Sequence, residues 1–233
     1  MIHQPEIKTV EIYSGISHLE TFEKYYKNEI APKFLSTNGV KGVRLNQLQH
    51  AAEQQPAELR DIQLIAETFY ESFDHVRSLF ASSRGKQLSQ LLADNKHGKL
   101  ASYLGTEKTF YSKGYMNGSI KDIAGIKTVG IYNRVTNLAK FEEYYTSEIT
   151  PRFLQTDGVI KMRVTMLQSA GVQRSDDIQL IIQTFYDSPS TLKRLVSSPI
   201  GQEISQLIAN NQNGQLGAFI GVEQVLLPRK CIS

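Results

Sequence analysis

The chain has 233 residues, 40% apolar and 21% charged, with a formal net charge of +3, a composition that fits an ordinary soluble globular protein of one large domain or two of about 110 residues. The charge is spread thinly and forms no Lys/Arg run, so no nucleic acid and no anionic membrane is expected as a partner. The single cysteine, Cys231, excludes an internal disulfide, and the chain shows no long apolar span and no signal-peptide pattern, so a cytoplasmic location is expected.

In chain order, residues 7–13 alternate as a strand, with Val10 and Ile12 on one face and Thr9, Glu11 and Tyr13 on the other. Ser17 is placed to cap a helix carrying Leu19, Phe22, Tyr26 and Ile30 at helical spacing. Pro32 is expected to kink or stop it, because proline removes a helix hydrogen bond and disfavours the α region before it. Asn38-Gly39 turns the chain into strands over 43–49 and 62–70. A second helical region, broken at 82–85, carries Leu88, Leu91 and Leu92 as an amphipathic stripe, and a turn at 95–98 leads to a last strand over 100–104. Residues 112–125, rich in Gly and Ser, read as a linker.

The whole order then recurs. IKTVEIY at 7–13 returns as IKTVGIY at 126–132, and FEKYYKNEIAPKFL at 22–35 as FEEYYTSEITPRFL at 141–154, with nine of fourteen positions identical. DIQLIAETFY at 61–70 returns as DIQLIIQTFY at 177–186. The helix carrying Thr136 at its start, Pro151 and Asp157-Gly158 matches the first, and Ile204, Leu207 and Ile208 repeat the amphipathic stripe. This is the pattern of a duplication, with units over 1–117 and 118–233. Each unit has the order β-α-β-β-α-β. The expected class is therefore α+β: two tandem ferredoxin-like repeats, each with two helices on one face of a four-stranded antiparallel sheet. The other face of each sheet needs cover. Each copy is expected to provide it for the other, in an intramolecular dimeric α/β-barrel. A further homodimer stays open.

The pattern Phe22-x-x-Tyr25-Tyr26-x-x-x-x-x-Pro32, followed by Gly39-Val40, resembles the EthD-type members of the dimeric α/β-barrel superfamily, and the second half repeats it. The resemblance spans essentially the whole chain. It implies a relation to cofactor-independent monooxygenases, polyketide cyclases, haem-degrading enzymes or stress proteins. Where the EthD-type pattern often carries a histidine two residues before the proline, this chain has Ile30 and Ile149.

Strand alternation assigns Val10, Ile12, Val43, Leu45, Ile62, Leu64 and Ala66 to the helix side of the first sheet. The opposite face then receives Thr9, Glu11, Tyr13, Arg44, Asn46, Gln63, Glu67 and Phe69. In the second copy that face reads Thr128, Gly130, Tyr132, Arg163, Thr165, Gln179, Gln183 and Phe185. Each polar group buried there without a partner costs roughly 1–3 kcal/mol, so the face forms either a satisfied network or a wet pocket. The copies differ at Glu11 and Glu67 and agree at Arg44. These three are the candidate catalytic residues, with either carboxylate as base and Arg44 steadying an oxyanion. The plainer alternative is an Arg44–Glu67 ion pair across a hairpin.

Tyr13, Tyr25, Tyr26, Gln63 and Phe69 are the candidate ligand-binding residues, packing being the simpler role of the adjacent tyrosines. The five histidines show no metal-ligand spacing, so no metal and no cofactor is expected; His75 is where a haem ligand would be sought in a haem-degrading relative. The RNA-recognition motif shares this element order, but the third strand lacks its basic, glycine-containing aromatic signature. The expected function is to bind an apolar or aromatic small molecule, or to act on it as a cofactor-independent, monooxygenase- or cyclase-like enzyme. A structural or stress-related scaffold, or a protein-interaction module, is the alternative.

Overall fold

In the computed structural model the described residues are 5–93, 97–115, 126–169, 177–211 and 213–228. Cys231, most of the linker and part of the turn at 95–98 lie outside them. The first half contributes strands β1 (Glu6–Ser14), β2 (Val40–His50), β3 (Ile62–Tyr70) and β4 (Lys99–Tyr111). The second contributes β5 (Ile126–Asn133), β6 (Val159–Ser169), β7 (Ile178–Tyr186) and β8 (Gln215–Leu226). All eight close one barrel in the order β1-β3-β2-β8-β5-β7-β6-β4. Each half thus runs β4-β1-β3-β2 or β8-β5-β7-β6, and the halves are stitched together by antiparallel β2–β8 and β4–β6 ladders. Closure leaves no open sheet edge.

The helices pack on the outside. Helix α1 (Leu19–Tyr25) leads through a π-turn at Tyr26–Ile30 into α2 (Ala31–Leu35), where the Ala31 N–H donates to the Tyr26 carbonyl five residues back. Helices α3 (Phe73–Ala81) and α4 (Ser83–Ala93) complete the first half. In the second half α5 (Leu138–Tyr144), a π-turn and α6 (Thr150–Leu154) repeat the first arrangement, and α7 (Pro189–Ser197) and α8 (Pro199–Asn210) repeat the second. Of the kink or stop expected at Pro32 and Pro151, the stop does not occur. One extra residue in the turn before each proline takes up its missing N–H and ring clash, and the helix continues to Leu35 or Leu154. The caps also sit one residue later than expected, at His18 and Asn137, and only Asn137 makes a side-chain capping bond, to the Lys140 N–H.

Among the described residues there are three cores. Two lie between sheet and helices, around Phe22, Tyr26 and Leu64 in the first half and Phe141, Tyr145 and Leu180 in the second. The third fills the barrel around Val10, Ile65, Val129, Ile181 and Phe219. Strand β1 is therefore turned over relative to the expectation. Val10 and Ile12 face the barrel interior, while Tyr13 packs on Phe22 and Tyr26 under α1. Alternation could not settle this, because both faces of the sheet are buried and neither is the polar one. Ile62 also joins the interior core, beside the irregular register at Ser14.

Candidate functional site

Two polar clusters result, on opposite faces of the first sheet. Inside the barrel, Lys8 of β1 pairs with Glu67 of β3 and Glu107 of β4, all fully buried. Asn46 Nδ2 donates to Glu67 Oε2 at 2.8 Å, and the Asn46 side-chain carbonyl accepts from Lys127. Lys127 Nζ donates to Glu223 at 2.7 Å and Gln183 at 3.2 Å. Arg163 Nη1 donates to Glu223 at 2.7 Å and Arg44 Nη1 to Glu107 at 3.1 Å. The guanidinium groups of Arg44 and Arg163 lie over Phe69 and Phe185 at 3.9 and 4.4 Å.

These groups are locked. Burial alone would raise the carboxyl of Glu107, but Lys8, Arg163 and Arg44 outweigh it and hold it at about 2. Burial likewise works against ionisation of Glu67, and Lys8, Lys127 and Arg44 together more than offset it, keeping Glu67 below the usual carboxylate range. Burial pulls Lys127 down to about 8 against Glu223 and Glu67. Arg44 and Glu67 stand opposite each other in the β2–β3 ladder, yet their ion pairs go to Glu107 and Lys8. A permanently ionised, fully paired carboxylate makes a poor proton shuttle.

The second cluster surrounds Glu11, on the helix side. A cavity of about 910 Å³ lies between the first sheet and helices α3 and α4. Thr9 and Glu11 of β1 and Leu100, Ser102 and Leu104 of β4 form its floor, and Val76, Leu79, Leu88 and Leu92 its roof. Gln168 and Ser169, from β6 of the other half, close one side. Glu11 is 2% exposed, and its Oε2 has no hydrogen-bond partner. Burial raises its carboxyl to about 8, against the pull of the Thr9 hydroxyl. Tyr13, Tyr26 and Tyr70 lie close enough to Glu11 for its charge to push their phenols further up, after burial. The Tyr13 hydroxyl has no partner either, and the Tyr26 phenol has the Thr68 hydroxyl beside it.

Among the described residues the second half places no carboxyl at the equivalent position. In the ladders Glu11 stands between Ala66 and Ser102, whereas Gly130 stands between Ile182 and Ala218. A Cβ on Gly130 would meet Leu216 and the Tyr132 ring at 3.3 Å. The space is filled, and the phenols of Tyr132 and Tyr145 bond each other.

The residues singled out in the sequence are thus dispersed. Glu11 does not converge with Glu67 and Arg44, because the sheet separates them. Gln63 bonds the backbone of Ile16 at the β1–α1 turn, as Gln179 does with Val135. Tyr25 is half-buried against Phe22 and His97, and Phe69 lies in the barrel beneath Arg44. His75 bonds Ser72 at 2.9 Å beside Gly39, away from the cavity. Lys8, Glu107 and Ser102 were missed. A signal for the first two was present: Lys8 recurs as Lys127, and Gly105-x-Glu107 as Gly221-x-Glu223. Among the described residues no group of three or more His, Cys, Asp or Glu could hold a metal, and no helix is long and apolar enough to cross a membrane.

No family model and no curated protein matches the chain. Solved structures do. An anthrone oxidase-like protein superposes with a TM-score of 0.64 at 12% identity, over 99% of this chain and 98% of that one. A candidate monooxygenase from Lactobacillus acidophilus gives 0.56 at 11% identity, with 97% of both chains covered. One from Fusobacterium nucleatum gives 0.56 at 11%, over 95% of this chain and 92% of that one. At these identities the similarity is one of fold. The chain has the dimeric α/β-barrel fold.

Proposed function

We propose that the first-half cavity binds a small, mostly apolar molecule and that Glu11 is its acid–base group, in a cofactor-independent, monooxygenase- or cyclase-like reaction. The observation that carries this is the asymmetry between the halves. The buried carboxyl of Glu11, with an unpartnered oxygen, borders open space, whereas the equivalent position of the second half is Gly130, closed in by Leu216 and Tyr132. A carboxyl with its pKa near neutrality can take a proton from an acidic C–H or O–H and return it. The monooxygenase descriptions of the structural neighbours support a reaction of that kind. We further propose that the chain is a fused duplicate of a ferredoxin-like unit, divided near residues 117 and 118, whose second copy has become support. The matching strand orders and the recurring Lys, Arg and Glu positions in the barrel favour this.

The test uses a neutral fluorescent probe, N-phenyl-1-naphthylamine. It should bind one-to-one, and Ala66→Ile, which sets beside Glu11 the residue the second half has at that ladder position, should abolish binding while the protein still melts cooperatively. Binding that survives Ala66→Ile would move the site elsewhere. For any ligand that is turned over, Glu11→Gln should remove turnover and keep binding. A scaffold without chemistry is the second reading, favoured by the ion-paired barrel interior. It prevails if no neutral apolar probe binds.

A further inference from the structure

We infer that the ligand of this cavity is an uncharged, largely apolar molecule carrying a carbonyl-type acceptor oxygen, which sits on the sheet floor against Glu11 and Ser102. The inference rests on the cavity being the binding site. The cavity has two unlike sides. Leu79, Leu88 and Leu92 make the helix side apolar, and the sheet side presents Thr9, Glu11 and Ser102.

The donor and acceptor inventory selects the ligand's polar group. Among the described residues no ion pair reaches Glu11, and its Oε2 is buried without a partner. A carboxyl buried without a counter-ion holds its proton. It then presents an O–H donor, as the Ser102 hydroxyl across the strand also can. An acceptor oxygen on the ligand satisfies both, and a hydrocarbon satisfies neither. An anionic head group fits worse still, since a carboxylate on this floor would be buried with no cation beside it. The cation that borders the cavity, Arg77, has a side chain 71% exposed, lies over Phe73 and sits 3.7 Å from Asp74, so it belongs to the rim. A charged group would stay at that rim and leave the floor empty.

Three probes with one ring system separate these cases by equilibrium dialysis at pH 6.5: 2-acetylnaphthalene, 2-ethylnaphthalene and 2-naphthoate. The ketone is expected to bind at least about tenfold more tightly than the other two, the worth of one well-made hydrogen bond. Glu11→Leu should reduce its affinity to that of the ethyl compound. Glu11→Gln, which keeps an N–H donor and the side-chain size, should preserve the ranking. Equal affinities for ketone and ethyl compound, or a preference for the naphthoate, would overturn the inference. If those equal affinities are all lost in Ala66→Ile, the cavity remains the binding site and only the ligand class falls. If none of the three binds, the site and the class fall together.

Discussion

Glu11 and Ser102 face each other across the β1–β4 ladder and border the same cavity, and the second half replaces the pair with Gly130 and Ala218. The exchange removes both polar groups at once, so the two positions act as a unit. A carboxyl set between Ala66 and Ser102 has space in front of it and little to bond. That combination is poor for stability and useful for holding a proton.

Burial raises Glu11 from 4.5 to about 8. Between those values the unfolded chain releases a proton that the folded chain keeps. The stability associated with Glu11 is therefore fully present below about pH 4.5 and is lost as the pH climbs to about 8, a change of a few kcal/mol. Urea denaturation of wild type and Glu11→Gln should give curves that diverge over this range, with the Gln variant gaining on wild type as the pH rises. Parallel curves would show that the carboxyl is hydrated.

At the acid end the sign reverses. Glu107 is held at about 2 because Lys8, Arg163 and Arg44 outweigh its burial. Its contribution is present above the ordinary carboxylate range and is lost as the pH falls from about 4.5 toward 2. Wild type should lose stability steeply over that interval. Glu107→Gln should be less stable at pH 7 and show a shallower acid limb.

Lys8 pairs with two buried carboxylates, Glu67 and Glu107. Lys8→Met leaves Glu67 without its ion-pair partner, while Glu107 keeps Arg44 and Arg163, and should destabilise by about 3–5 kcal/mol. Glu67→Gln should cost less, because Glu107 still pairs with Lys8 and the second half already sets Gln183 beside Lys127. It should also leave probe binding in the cavity unchanged. Loss of binding in Glu67→Gln with the fold intact would return Glu67 to the functional residues.

Gly15 and Gly39 both have positive φ, 64° and 79°. A Cβ at Gly15 meets nothing within 4 Å, whereas one at Gly39 would overlap the His75 ring. Gly15→Ala should cost about 1 kcal/mol, the price of a left-handed backbone alone. Gly39→Ala should cost clearly more, and pairing it with His75→Ala should recover the difference. Equal effects of the two single variants would show that His75 moves aside freely.

Much of this architecture was legible in the residues. The repeated segments mark the strands and helices of both halves, and Asn38-Gly39 and Asp157-Gly158 mark the turns. The orientation of β1 was not legible, since Val10 and Ile12 suit either buried face. That error placed Glu11 beside Glu67 and Arg44, when a whole sheet divides them. Glu11 was still found, because a difference between two copies is informative whichever way the strand faces. Glu107 was hidden by length: β4 runs on to Tyr111, beyond the expected end at 104, and only the β4–β6 ladder explains why so long a strand is stable. The cavity depends on how α3 and α4 sit over the sheet, which no periodicity in either helix specifies.

The β2–β8 ladder joins a strand near the start of the chain to one near its end. During synthesis β2 must wait until β8, at Gln215–Leu226, has been made before this ladder can form. Pairing over such a sequence distance is slow. The nascent first half therefore spends its waiting time with an exposed strand edge.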